Sequence, residues 1–271
     1  MIKKCTIFYV SDGTAITAET VGHSLISQFQ DIDFDEIRLP FVDNEEKAQI
    51  AAAKIQQANQ NCQPLVINTV VDVKLRKIIH SGGGLKLDPF NRLLRKIEKN
   101  LGIKRSPVVG LTHGITNLKA YEKRIDATNY ALVHDDGVSI NYDDADIILL
   151  GVSRSGKTPT CLYLALRYGV KAANYPLTVE DLDKMQIPSQ ILKHKQKIYG
   201  LTIDPFRLSQ IRAERRPNSN YAKMRQCQRE VSDAEALFLR KGIAYLSTTH
   251  TSIEEISGKV LLALNLTNKL H

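Results

Sequence analysis

Residues 146–168 read Asp146-Ile147-Ile148-Leu149-Leu150-Gly151-Val152-Ser153-Arg154-Ser155-Gly156-Lys157-Thr158-Pro159-Thr160-Cys161-Leu162-Tyr163-Leu164-Ala165-Leu166-Arg167-Tyr168, and they decide the fold class. An apolar run over 146–150 predicts a buried strand, and 157–168 reads as a helix. Between them Gly151-Val152-Ser153-Arg154-Ser155-Gly156-Lys157-Thr158 satisfies G-x-x-x-x-G-K-[ST], the phosphate loop, in its required strand–loop–helix order. A chance match arises in about one chain in a hundred of this length. The glycines let backbone N–H groups turn inward around phosphate oxygens, and the helix amino terminus adds partial positive charge. Lys157 would neutralise the terminal phosphate and the Thr158 hydroxyl would ligate magnesium. Pro159 suits the first helical turn, where a missing N–H costs little. The competing reading is a glycine-rich turn with a coincidental lysine.

Outward from this loop, strands and helices alternate. Strands are predicted at 5–10, 34–41 and 64–68, with helices at 17–29, 45–59, 71–80 and 88–100. Gly82-Gly83-Gly84 breaks the pattern, and 101–114 reads as a loop or linker. A helix over 117–133 ends in His134-Asp135-Asp136-Gly137. Strands at 146–150, 170–175, 197–203 and 243–247 then alternate with helices at 157–168, 205–215, 220–241 and 253–266. Such βα alternation implies an α/β fold with a largely parallel sheet. The expected division lies near residue 140: an N-terminal α/β domain (1–140) and a phosphate-loop nucleotide-binding domain (141–271).

Composition narrows the class. The 271 residues are 43% hydrophobic and 24% charged, as in a globular protein that buries a full core. No apolar run approaches the roughly 20 residues that cross a bilayer. The start, Met1-Ile2-Lys3-Lys4-Cys5-Thr6-Ile7-Phe8-Tyr9-Val10, passes directly from two lysines into a strand-like run, so no signal peptide is read. Cys5, Cys62, Cys161 and Cys227 form no C-x-x-C pair, which argues against zinc and for free thiols in a reducing cytoplasm. The net charge of +8 fits nucleic acid, an anionic substrate or an acidic partner. Without tryptophan, and with no aromatics interleaving a basic stripe, a dedicated nucleic-acid binder is not the expectation.

Four further groups carry chemistry. The strand-like 198–203 ends at Asp204, where a magnesium-linked carboxylate belongs, although Asp204-Pro205 is equally a helix cap. Ser11-Asp12-Gly13-Thr14 follows the first strand, where α/β proteins bind ligands, or is simply a turn. His134 with Asp135 and Asp136 offers a general base or an acid pair, or an ordinary Asp-Gly turn. Arg207, Arg212, Arg215, Arg216, Lys223, Arg225 and Arg229 form a basic stretch in which Arg212, Arg215 and Arg216 share a helix face while Leu208 and Ile211 turn to the core. It is a solvated face, a phosphate clamp or a dock for an acidic partner.

Taken together, these stretches resemble the bacterial and plant kinase–pyrophosphorylase family. The resemblance runs through 9–19 (Ser11-Asp12-Gly13-Thr14-Ala15), Thr112-His113-Gly114, His134-Asp135-Asp136-Gly137, the phosphate loop, Ala172-Ala173-Asn174-Tyr175-Pro176, Gly200-Leu201-Thr202-Ile203-Asp204-Pro205 and 211–222. It covers essentially the whole chain. It implies a bifunctional regulator of phosphoenolpyruvate synthetase, or of pyruvate, phosphate dikinase, with the 12–19 stretch favouring the synthetase. As a kinase such a protein moves the β-phosphoryl group of ADP to a target threonine, leaving AMP. As a phosphorylase it uses inorganic phosphate to remove that group, releasing pyrophosphate. Matching positions nominate Asp12, His134, Asp135, Lys171, Asp204, Arg207 and Arg212 around Lys157: Asp204 for magnesium or proton acceptance, Lys171 and the arginines for transition-state charge. Two departures are Ser155, where the family often carries cysteine, and Asn220, where it often carries arginine. Other readings are an ATP-dependent kinase of a small metabolite and a nucleotide-gated RNA-binding module. A homodimer is expected from the frequency of two-fold assemblies.

Overall fold

The computed structural model describes residues 3–29, 31–104, 118–135 and 141–266. Thr112-His113-Gly114, Asp136-Gly137 and most of the expected 101–114 linker lie outside the described residues. The chain divides into two compact units, Met1–Thr116 and Asn117–His271.

In the first unit β1 (Lys3–Val10), α1 (Ile16–Ile26), β2 (Ile32–Leu39), α2 (Glu45–Asn59), β3 (Leu65–Asn68), α3 (Val73–Ser81), β4 (Leu85–Leu87) and α4 (Asn91–Leu101) follow one another. Their strands form an all-parallel sheet in the order β2-β1-β3-β4. Strand alternation sends Phe8 and Val10 to one face, against Ala48, Ala51 and Ile55 of α2, and Ile7 and Tyr9 to the other, against Ala18 of α1. β4 was not expected. It is three residues long and enters through Gly83 and Gly84, both at positive φ, so the glycines that read as a break are the turn into a strand too short to show a period.

The second unit opens with α5 (Leu118–Val133) and continues β5 (Ile147–Gly151), α6 (Lys157–Tyr168), β6 (Ala172–Pro176), α7 (Val179–Asp183), α8 (Ser189–Leu192), β7 (Ile198–Thr202), α9 (Pro205–Arg215), α10 (Met224–Lys241), β8 (Tyr245–Ser247) and α11 (Ile253–Ala263). Its sheet is again all parallel, in the order β6-β5-β7-β8. Relative to its own first strand, each unit therefore has the same 2-1-3-4 order. Every residue of β5 is buried, as a central strand covered on both faces requires. Ile148 and Leu150 pack with Leu208, Leu237 and Phe238; Ile147 and Leu149 pack with Leu164, Val260 and Leu261.

The division does not fall near residue 140. Ala127 and Ala131 of α5 are buried with Cys161 and Leu164 of α6, so this helix belongs to the second core. A helix period in sequence shows an apolar face but not which sheet it covers. The helix expected from 220 starts at Met224, after a short 3-10 turn over Asn220–Ala222.

Candidate functional site

The phosphate loop leaves the carboxyl end of β5, between β6 and β7, and enters α6 at Lys157. Strand order reverses at β5, and such switch points are where open parallel sheets bind ligands. Two loop glycines answer to space and conformation: a Cβ on Gly151 would stand 2.2 Å from the Leu201 carbonyl oxygen, and Gly156 lies at φ +84. Arg154 adopts φ 76, a left-handed backbone that a side chain disfavours and that the surroundings must hold in place.

Lys157 is 4% exposed, and its Nζ donates to the Val152 carbonyl oxygen at 2.7 Å, within the loop itself. Burial pulls its ammonium pKa down to about 7; Cys161 and Asp135 oppose the shift, while Arg212 and Arg154 add to it.

On the β6 side, Asn174 gathers three groups. Its Nδ2 lies 2.6 Å from the Asp135 carbonyl oxygen, 3.0 Å from Asp135 Oδ1 and 3.0 Å from Thr158 Oγ1. On the β7 side Thr248 reaches the loop, its single hydroxyl proton shared between the carbonyl oxygens of Thr202 at 3.1 Å and Ser155 at 3.3 Å. Asp204 stands here at the end of β7. Its Oδ1 accepts the Arg207 N–H at 2.9 Å as the cap of α9, and its own N–H donates to Thr249 Oγ1 at 2.8 Å.

Arg212 is buried completely, on the inward face of α9 with Leu208, whereas Arg215 and Arg216 are exposed. The expected shared arginine face is thus corrected: the i, i+4 pair is Leu208 and Arg212. Its guanidinium pairs with Glu230 Oε2 at 2.6 Å and donates at 3.1 Å to the carbonyl oxygens of Tyr221 and Ser153. It also stacks on the Tyr221 ring at 3.9 Å, and the Tyr221 hydroxyl donates to Ser153 Oγ at 2.8 Å. These partners make Arg212 a brace for the loop backbone, with its charge taken up by Glu230. Arg207 is exposed, with a guanidinium N–H 3.5 Å from Gln210 Oε1.

Lys171 is not brought to the loop. Parallel pairing sets Ile147 opposite Ala172 and Gly151 opposite Pro176, so Lys171 stands at the amino end of β6 and the loop at the carboxyl end. There it pairs with Asp126 at 2.8 Å. His134 is engaged with backbone and ring partners. Its two ring nitrogens lie 2.8 and 3.2 Å from the carbonyl oxygens of Tyr130 and Asn141, its ring stacks on Tyr130, and its own carbonyl accepts the Asn174 N–H. It fastens the 134–135 segment against β6 and so delivers Asp135. Asp12 lies in the first unit, where Oδ2 accepts the Val71 N–H at 2.7 Å. That bond ties the β1 loop to the loop after β3.

Sequence reasoning passed over Asn174, Tyr221, Glu230 and Thr248. Asn174 and Tyr221 lie within stretches that carry the resemblance, and Asn174 is also an amide in the middle of an otherwise apolar strand. Ser155 is fully buried and its hydroxyl has no partner among the described residues. Ser155→Ala is therefore expected to leave stability unchanged or to raise it by about 1 kcal/mol in a denaturant titration. A clear loss of stability would mean the hydroxyl is used.

Among the described residues no helix is long and apolar enough to cross a membrane. The family model for kinase/pyrophosphorylase matches residues 7–261. A protein of Stenotrophomonas maltophilia (strain K279a), provisionally named phosphoenolpyruvate synthase regulatory protein, is 54% identical over 98% of both chains. A provisionally so named protein of Xanthomonas euvesicatoria pv. vesicatoria (strain 85-10) is 50% identical over 97% of both. With a match along nearly its whole length, the chain belongs to the kinase/pyrophosphorylase family.

Proposed function

We propose that this protein regulates phosphoenolpyruvate synthase by reversible phosphorylation of a threonine, with ADP as donor and inorganic phosphate as the agent of removal. In the forward direction the bond from the β-phosphorus to the α,β-bridging oxygen breaks, AMP leaves, and the threonine oxygen takes the phosphoryl group while losing its proton. In reverse, inorganic phosphate attacks the phosphothreonine phosphorus, and pyrophosphate and the free threonine hydroxyl result. The family description names both kinds of activity and the relatives' names supply the target. The observation that carries the reading is the buried Lys157, folded onto the Val152 carbonyl oxygen at a helix amino terminus, where burial lowers its ammonium pKa to about 7.

With ADP as donor, Lys157 belongs against the β-phosphate, because that is the group that moves. Among the described residues no group of three or more His, Cys, Asp or Glu could hold a metal alone. Magnesium, however, takes hard oxygen ligands and commonly fills its shell with phosphate oxygens and water. The Thr158 hydroxyl and the Asp135 carboxylate, joined through Asn174, fit that need, and a cation there would neutralise charge on the phosphates. Asp204, on the other side of the loop, is the carboxylate for the threonine proton. Its position at the end of β7 supports that role, and its capping bond occupies one oxygen. The setting is cytoplasmic, where the nucleotide pool and target reside.

Incubating the purified protein with phosphoenolpyruvate synthase and either ADP or ATP tests the reading. Threonine phosphorylation with ADP, AMP formation, and pyrophosphate release when phosphate is added to the phosphorylated target are the expected results. Phosphorylation with ATP alone would overturn the donor assignment, and salt-sensitive RNA binding without transfer would overturn the reaction.

A further inference from the structure

Asn174 lies in the third position of β6, 95% buried by its 5% exposure, and nothing in a nucleotide site requires an amide there. The way its side chain faces is fixed by chemistry. Two of the three oxygens around Nδ2, the Asp135 carbonyl and carboxylate, only accept hydrogen bonds, so the amide nitrogen and not its oxygen must point at them. An amide nitrogen has two hydrogens, which these two oxygens and Thr158 Oγ1 share. Meeting that demand leaves Asn174 Oδ1 buried with no partner among the described residues. An amide held this way at a strand centre is costly for folding alone, because an apolar residue would fill the space without an orphaned acceptor.

From this we infer that Asn174 is a positioning residue for the divalent cation: it holds the Thr158 hydroxyl and the Asp135 carboxylate together as one pair of oxygen ligands. Because Nδ2 donates to Thr158 Oγ1, it occupies one hydroxyl lone pair and leaves the other for the cation. The same nitrogen restrains the Asp135 carboxylate, which sits at the end of the described 118–135 segment and has no regular element of its own to fix it. The backbone adds a second tie, the Asn174 N–H donating to the His134 carbonyl oxygen at 2.8 Å. Asn174 thus joins the β6 edge to the loop, and the acid paired with Thr158 is Asp135, not Asp204. This inference rests on the nucleotide reading of the loop and specifies how its cation is held.

The test is ADP binding by calorimetry, with saturating EDTA and across a magnesium titration, in the wild-type protein and in Asn174→Leu, which keeps the branched side-chain shape without its polar atoms, and Asn174→Ala. Both variants should need about tenfold more magnesium to reach the tight-binding state, in line with the loss of a partner that orients metal ligands. Affinity in EDTA should stay at the wild-type value. In a double-mutant cycle, Asn174→Leu and Thr158→Val should raise the magnesium requirement by less than the sum of the single changes, since both disturb the Thr158 hydroxyl while only Asn174→Leu also frees the Asp135 carboxylate. Equal loss of affinity with and without magnesium would show a merely deformed loop and overturn the inference. So would an unchanged magnesium requirement in variants that unfold at the wild-type temperature. A wild-type protein that binds no ADP fails at the earlier step, the nucleotide reading itself. One that binds ADP regardless of magnesium removes the cation from Thr158, and this role of Asn174 with it.

Discussion

Arg212→Ala is expected to destabilise the C-terminal unit by about 3–5 kcal/mol, the cost of stranding one member of a buried ion pair. Glu230 Oε2 would lose its 2.6 Å partner in a site where it is itself largely buried. The Ser153 and Tyr221 carbonyl oxygens would lose donors, and the Tyr221 ring its stacked guanidinium. Denaturant unfolding measures the loss. The double variant Arg212→Ala, Glu230→Ala should be less destabilised than the sum of the single changes, because no uncompensated charge remains. Additive losses would show that the pair is not energetically coupled. Arg212→Lys should recover only part of the stability, because an ammonium cannot serve the flat fork of acceptors or stack on the ring. The loop should suffer with the fold: Ser153 is held through both its carbonyl and its hydroxyl, so weaker ADP binding accompanies partial rescue.

Lys157→Met should have the opposite signature, lost activity with gained stability. Phosphoryl transfer should fall by about 10²–10³-fold or more, as when one preorganised charge-stabilising donor is removed. Stability should rise, because the wild-type protein buries an ammonium whose one hydrogen-bond partner among the described residues is a carbonyl oxygen. The pH dependence carries the sign. The unfolded chain keeps this proton up to about 10.5 and the folded chain releases it near 7. Between those values the unfolded state binds more protons, so this lysine makes stability rise with pH across that window. Its cost is full below pH 7. The advantage of Lys157→Met, about 1–3 kcal/mol for relieving a poorly satisfied buried polar group, should therefore be largest there and shrink towards pH 10. Thermal unfolding of both proteins between pH 6 and pH 10 checks this. A variant less stable than wild type at pH 6 would contradict the burial of a costly charge. ADP should reverse the order by stabilising only the wild type.

Local signals in the sequence determined the loop over Gly151–Thr158, the strand before it and the helix after it, because its Gly, Lys and Thr residues lie within a few positions of one another. The alternation of strand-like apolar runs with helix-like segments also determined the parallel α/β class, since each of those patterns is a property of a single segment. The tertiary structure decided what depends on pairing. Lys171 and Asn174 are three residues apart, yet strand register puts one at the far end of the sheet beside Asp126 and the other against the loop. Arg212 reads as a surface charge until Glu230, eighteen residues on, meets it in the core. Residues 118–133 show a helix in either unit, and only the burial of Ala127 and Ala131 on α6 assigns it. A chain spells out its periods and its turns; which charge is buried, and beside what, follows from the packing of segments distant in sequence.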